Sequence, residues 1–376
     1  MEFQYCLPVN LIFGRGKSAK IGELAAGYGK KALVVTGQSS TKKSGLLDRT
    51  LEQLHAVGMD VCVFDKVRQN PLTTTAEEGA DLARKEQCDV VIGLGGGSIL
   101  DCAKAIAFLA KNTGDINDYI YNRIEGTGAL PLLLVPTTCG TGSEGNGFAV
   151  LTNPETGDKK SLRTNAIIAD ASIIDSTLME TMPKSVLASV GFDALCHSME
   201  AYLSKLAQPM TDMLCVEAMT AIGKYLVPLY QGKGDAEAWD AMTWASTIGG
   251  MVIHTAGVTL PHGMEHPASG CRNIVHGKGL AALTPVIVED GIAAAPEKYA
   301  VISRCLGGKD EKDCALQIRK LIGQLELATT LGEQGITEAD IPWMTENCLK
   351  ISAASIANHP KHYGKEEIAE LYRKAL

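Results

Sequence analysis

The chain has 376 residues, 45% hydrophobic, 21% charged and 5% aromatic with 39 glycines, which excludes a disordered, collagenous or coiled-coil protein. Asp and Glu (43) outnumber Lys and Arg (35), so the net charge of −8 offers no basic surface to a nucleic acid. No apolar run reaches the ~18 residues of a membrane span and no leader-like segment follows Met1, so a cytoplasmic protein with no membrane partner is expected.

In chain order, Lys31–Thr36 is a short apolar run ending at Gly37, followed by an amphipathic stretch over Leu46–His55. Val61–Phe64 is a second apolar run, and Thr74–Glu86 reads as a helix. Asp89–Leu94 is a third strand, Ser98–Lys111 a helix and Leu132–Val135 a further strand. Near-continuously apolar strands separated by helical patterns indicate a parallel sheet covered on both faces. From Pro183 onward the spacing is helical, over Val186–Leu203, Thr211–Leu229, Ala236–Ile253, Ala315–Leu327 and Glu366–Leu376. An α/β half is therefore expected over residues 1–182 and an all-α half over 183–376, with a ligand-binding cleft between them. The 11 cysteines form no CxxC and no framework spacing, so most are expected to be reduced and buried.

Strand Asp89–Leu94 runs directly into Gly95-Gly96-Gly97-Ser98 and then into a helix. Glycines let a backbone approach a bulky anion, and the helix N-terminus supplies free N–H groups and a positive dipole end. Ser98 is expected to cap that helix or to donate to a phosphate. The run lacks the last glycine of GxGxxG and the Lys of a P-loop, and its alternative is a tight strand-to-helix turn. Pro136-Thr137-Thr138-Cys139-Gly140-Thr141-Gly142-Ser143-Glu144 follows the next strand, and two such loops at one sheet edge favour a dinucleotide.

In the helical half, Asp193 and His197 stand at i, i+4, as do His262 and His266, and His276 follows. One carboxylate with several imidazoles and no thiolate suits a first-row divalent metal, Fe(II) or Zn(II), with an open position. The alternative for each is a cap or a satisfied core polar group.

These motifs together resemble the iron-containing (group III) alcohol dehydrogenase family. The matching residues are Phe13-Gly14-x-Gly16, Asn70-Pro71, Gly95-Gly-Gly-Ser98-x-x-Asp101-x-x-Lys104, Pro136-Thr-Thr-x-Gly-Thr-Gly-Ser-Glu144, Gly191-x-Asp-Ala-Leu-x-His197 and His262-x3-His266-x9-His276-Gly277. The resemblance implies a Rossmann-like nucleotide-binding domain before an all-α metal-binding one. It assigns Asp193, His197, His262 and His276 to Fe2+, with Zn2+ as the alternative, and sets His266 near the nicotinamide. His266 is then expected to relay a proton or, alternatively, to orient a ligand. Gly95, Gly96, Gly97, Ser98, Thr137, Thr138 and Thr141 are expected to contact the cofactor, as are Gly37, Ser39 and Asn70, and Lys160 to reach its ribose.

The implied activity is hydride transfer between NAD(P) and a short primary alcohol or aldehyde, by a homodimer or larger assembly. Where NAD-preferring relatives carry Asp after the first strand, this chain has Thr36-Gly37-Gln38-Ser39 with Lys42 and Lys43 nearby, which leans toward NADP. Phe148, Ile253 and Cys271, with Gly147, are expected to line the substrate pocket. Arg272 offers a partner to an anionic aldehyde, the alternative being a surface ion pair. The competing functions are a zinc polyol dehydrogenase of the glycerol type, a dehydroquinate-synthase-like lyase, or a catalytically silent nucleotide-binding scaffold.

Overall fold

A computed structural model describes residues 2–376. The apolar runs of the first half become strands β1 (Leu11–Phe13), β2 (Lys31–Gly37), β3 (Asp60–Val67), β4 (Val90–Gly95), β5 (Leu132–Pro136), β6 (Phe148–Thr152), β7 (Lys159–Arg163) and β8 (Ala171–Ile174). Six of them form one sheet in the order β1-β8-β5-β4-β2-β3, with every adjacent pair parallel. Every residue of β4 and β5 is buried, as a sheet covered on both faces requires. Successive side chains divide between two cores: Leu33, Val35, Val91 and Leu134 join one, while Val34, Ile92, Leu133 and Val135 join the other.

Chain progression reverses between β2 and β4: β3 lies beyond β2, whereas β5, β8 and β1 lie beyond β4. The crevice outside the carboxyl ends of such adjacent strands is where open α/β sheets take ligands. Both glycine-bearing loops emerge there, and the Thr137 N–H donates to Gly95 O at 3.0 Å.

Four strands of this half escape a reading of apolar periodicity. β1 and β8 have only three and four residues. β6 and β7 form a separate antiparallel hairpin, and β7 is Lys-Lys-Ser-Leu-Arg, with too few apolar residues to alternate visibly. Ser98 is a correction: the helix spans Gly97–Lys111 with Gly96 before it, so Ser98 is its second residue and makes no side-chain cap.

The chain then becomes helical. After β8, ending at Ile174, long helices cover Lys184–Leu203, Pro209–Tyr230 and Ala236–Ala256, sharing a core that includes Phe192, Met219, Ile222 and Ile248. Two shorter helices, Leu260–Arg272 and His276–Gly291, have no strong apolar signal because Pro267 and Pro285 interrupt them and glycines and histidines crowd their first turns. They carry three of the expected site histidines.

The halves touch backbone to backbone at several places, among them Gly157 against Gly270 and Gly142 against Gly250. Gly142 has φ +58°, and a Cβ there would lie 2.4 Å from Ser246 O and from Gly250 N, so the loop after β5 seats directly on helix Ala236–Ala256. Buried Lys104 fixes the segment that follows. Its ammonium donates to Ser143 O (2.5 Å), Ser143 Oγ (2.8 Å), Asn146 Oδ1 (3.1 Å) and Phe148 O (2.8 Å). Asp101 accepts from Ser143 Oγ at 2.6 Å and from Val150 N–H at 3.0 Å. The Asp-x-x-Lys motif thus ties the glycine-loop helix to hairpin β6–β7. Full burial pushes the Lys104 pKa down to about 8, against the pull of Asp101 and Glu144.

Candidate active site

Helix Lys184–Leu203 projects Asp193 and His197 from one face, and helix Leu260–Arg272 brings His262 to the same point. His276 enters from the first turn of the next helix. Asp193 Oδ1 lies 3.7 Å from His197 Nε2, 3.3 Å from His262 Nε2 and 3.5 Å from His276 Nε2. The ligand atoms of Asp193, His262 and His276 all lie within 4.8 Å of one another. His197 stacks on His262 with ring centroids 4.5 Å apart, and its Nδ1 is 3.4 Å from Gly140 O.

A carboxylate and three imidazoles out of water are costly unless something engages them. Asp193 Oδ1 and His262 Nε2 are nevertheless buried without a hydrogen-bond partner. Two orphaned lone-pair atoms facing each other, with two further Nε2 atoms alongside, form a donor set that suits one divalent cation.

The remaining hydrogen-bonding capacity is taken up by residues that sequence reasoning missed. His262 Nδ1 donates to fully buried Glu200 at 2.6 Å, and His276 Nδ1 donates to fully buried Glu265. Carboxylates on Nδ1 fix the tautomer that leaves Nε2 free for a metal. Helix phase held the signal, since Glu200 follows His197 by three positions and Asp193 by seven.

The electrostatics follow. Burial alone would raise the Asp193 carboxyl, but His197, His276 and His262 hold it well below its ordinary range. Burial alone would lower His262, but Glu200 and Asp193 lift it to about 10. His276 is raised against burial, chiefly by Glu265, and His197 is lowered by burial to about 4. Opposed shifts in one cluster characterise functional sites.

His266 lies on the same helix as His262, with ring centroids 6.1 Å from His262 and 5.9 Å from His276. Burial and the nearby Lys159 ammonium push its pKa well below the usual imidazole value, so the ring is neutral near pH 7. Glu265, His266 and His276 also group within 4.8 Å, but Lys159 Nζ already lies 3.3 Å from Glu265 and is that group's cation.

Lys160, expected to reach the ribose, is engaged by the helical half. Alternation along β7 sends Lys159 into the metal cluster and Lys160 to the other face, where its ammonium donates to Ile351 O at 3.0 Å. One residue of register separates the two lysines, and sequence alone held no signal to choose between them.

Of the other cofactor candidates, Gly95, Gly96, Gly97, Ser98, Thr137, Thr138 and Thr141 lie together. A Cβ on Gly97 would fall 2.3 Å from Thr141 Cγ2, and one on Gly96 would fall 3.1 Å from Thr138 Oγ1. Gly37 ends the neighbouring strand β2, and Ser39 is exposed just before the short helix Ser40–Lys43. Lys42 there is paired with Asp65. Asn70 is a bridge between the halves, its amide donating to Asn273 Oδ1 at 2.8 Å.

The substrate candidates are not all brought together. Phe148 lies beside His254, with ring centroids 5.5 Å apart, and Ile253 is buried in the core that Phe148 packs against. Cys271 instead packs on a different core, with its Sγ 3.7 Å from Asp340 Oδ1. Arg272 is exposed, its guanidinium bound to Asp340 at 2.5 Å, so it is a surface ion pair.

The model of the iron-containing alcohol dehydrogenase family matches residues 8–176, and that of the C-terminal region of the same family matches residues 187–376. The chain is 35% identical to the 1,3-propanediol dehydrogenase of Citrobacter freundii over 386 aligned positions, covering 100% of this chain and 99% of that one. It is 31% identical to the NADPH-dependent butanol dehydrogenase of Clostridium saccharobutylicum, covering 98% and 97%. The solved structure of an archaeal halo-thermophilic alcohol dehydrogenase from a Red Sea brine pool superposes with a TM-score of 0.95 at 33% identity, covering 100% and 99%.

Proposed function

The chain belongs to the iron-containing alcohol dehydrogenase family and is an alcohol oxidoreductase, and from that premise we propose the following division of roles. Asp193, His197, His262 and His276 hold Fe2+ or Zn2+, and the observation that carries this is the convergence of Asp193 Oδ1 with three Nε2 atoms, two of the four being buried orphans. Bound there, the metal supplies Lewis acidity toward the oxygen of an alcohol or aldehyde. Glu200 and Glu265 would hold the Nδ1 hydrogens of His262 and His276 while a bound metal takes the place of the Nε2 proton. Gly96 and Gly97, with Thr137, Thr138 and Thr141, receive the pyrophosphate of NAD(P) at the N-terminus of helix Gly97–Lys111. Lys159, rather than Lys160, is the lysine on the nicotinamide side. His266, neutral and next to the cluster, accepts or returns the proton of the substrate oxygen.

Phe148 and Ile253 are proposed to face the substrate, and their apolar side chains favour short neutral alcohols and aldehydes. With Arg272 engaged by Asp340, the residue that favoured an anionic aldehyde no longer supports one. NADP is accepted because β2 ends in Thr36-Gly37 without a carboxylate, although the pairing of Lys42 with Asp65 leaves less positive charge for a 2′-phosphate. We place the division between the domains at residues 182/183 and propose a cytoplasmic homodimer or larger assembly, which light scattering tests.

The deciding experiment loads the protein anaerobically with Fe2+, and separately with Zn2+, and follows NADPH and NADH oxidation by a panel of short aldehydes. One metal per chain and aldehyde-dependent oxidation are expected. Activity indifferent to chelation would remove the metal from the mechanism. Replacing His266 with Gln should lower kcat/KM by about 10² and abolish one limb of its pH profile; an unchanged profile would leave His266 a purely orienting group.

A further inference from the structure

His262 and His276 are both backed by a carboxylate, but the two carboxylates are not equivalent. Beyond its bond to His262, Glu200 accepts only from neutral donors of its own half: Thr259 N–H (2.7 Å), Thr259 Oγ1 (3.4 Å) and His262 N–H (3.4 Å). Glu265 accepts from Ser269 Oγ and also faces the Lys159 ammonium at 3.3 Å. That lysine comes from the nucleotide half, on β7, whose adjoining turn is latched to helix Ile341–Ile351 by Asp158, accepting from Asn347 (2.6 Å) and Lys350 (2.7 Å). Lys159 Nζ also stands 3.4 Å from His276 Nδ1. It cannot donate to that nitrogen while the nitrogen carries the hydrogen given to Glu265, so ammonium and imidazole address one carboxylate.

A carboxylate on Nδ1 makes an imidazole a stronger ligand through Nε2, and a cation sharing that carboxylate takes part of the effect away. We infer that Glu265 is a positioning residue for His276 and that Lys159 competes with the imidazole for it, so the hold of His276 on the metal is set from across the domain boundary. His262, backed by Glu200 with no competing cation among the described residues, is the firmly held ligand. His276 is the one through which metal leaves, in keeping with its side-chain exposure of 24% against 3% for His262. The inference rests on the metal assignment made above.

The test is Zn2+ affinity of the full chain, measured by competition with a chromophoric chelator, for the parent, E265Q, K159M and the double variant. E265Q should weaken binding by about 10–100-fold. K159M should tighten it several-fold, a direction that loss of packing would not give. In the E265Q background the K159M gain should disappear, because its route runs through the carboxylate. An equal gain in both backgrounds would mean the ammonium repels the metal directly, and unchanged affinity in E265Q would mean the carboxylate positions nothing; either overturns the inference. K159Q repeats the charge removal with a polar side chain should K159M unfold. If D193A also leaves Zn2+ binding intact, it is the metal assignment that fails instead.

Discussion

The two halves build their sites from different material. In the nucleotide half the proposed cradle is backbone: Gly96 and Gly97 open the helix after β4, and the neighbouring threonines crowd the positions that side chains would occupy. In the helical half the site is entirely side chains, with buried Asp193, Glu200 and Glu265 set against four imidazoles. A backbone site tolerates many residue types nearby but no extra volume. A side-chain site tolerates modest volume changes but no loss of a charge, because each group is the counter-ion of another.

This contrast can be broken most forcefully at Asp193. The substitution Asp193→Ala leaves buried imidazoles without their shared carboxylate and should abolish metal retention, with activity below about a thousandth of the parent; elemental analysis and steady-state rates check both. Next, Gly97→Ala forces a Cβ against Thr141 and should raise KM for the dinucleotide by about tenfold, in line with an overpacking cost of about 1–3 kcal/mol, while metal content stays constant. Loss of metal in that variant would show that the sites are not separable in this way.

A smaller effect is pH-dependent. In metal-free protein the His262 pKa is raised to about 10 by Glu200 and Asp193, so its contribution to stability is fully present below the unfolded value near 6.5. It declines as pH rises from there through the raised value. Thermal melts of the metal-free chain should therefore show a His262-dependent loss between those limits, absent in His262→Gln, and metal uptake at neutral pH should release protons. The smallest effect belongs to Arg272→Ala, which removes an exposed pair with Asp340. It should cost less than about 1 kcal/mol and leave the preference between neutral and anionic aldehydes unchanged.

The same contrast explains what a reading of residues reaches. Buried strands such as β4 and β5 are apolar at nearly every position, and the long helices of the second half repeat their apolar residues over many turns, so both are legible. The helices carrying His262 and His276 are not, because their proline and glycine content counts against helix while packing against neighbours overrides it. Within the site, Asp193, His197, His262, His266 and His276 stood out by spacing and residue type, the family resemblance singled out four of them without His266, and the structure brings the side chains of those four to one point. Glu200 and Glu265 did not, since a buried glutamate looks like any surface glutamate until its helix is placed. Lys159 and Lys160 are indistinguishable until β7 acquires a register.

The contact between Gly142 and Gly250 constrains how the crevice admits a dinucleotide. Two bare main chains meet there, with no rotamer to turn and no methyl group to compress. Sliding one half over the other would drive carbonyl oxygens into amide groups. The same holds where Gly157 meets Gly270, so widening has to swing about the line joining these two places rather than slide across either.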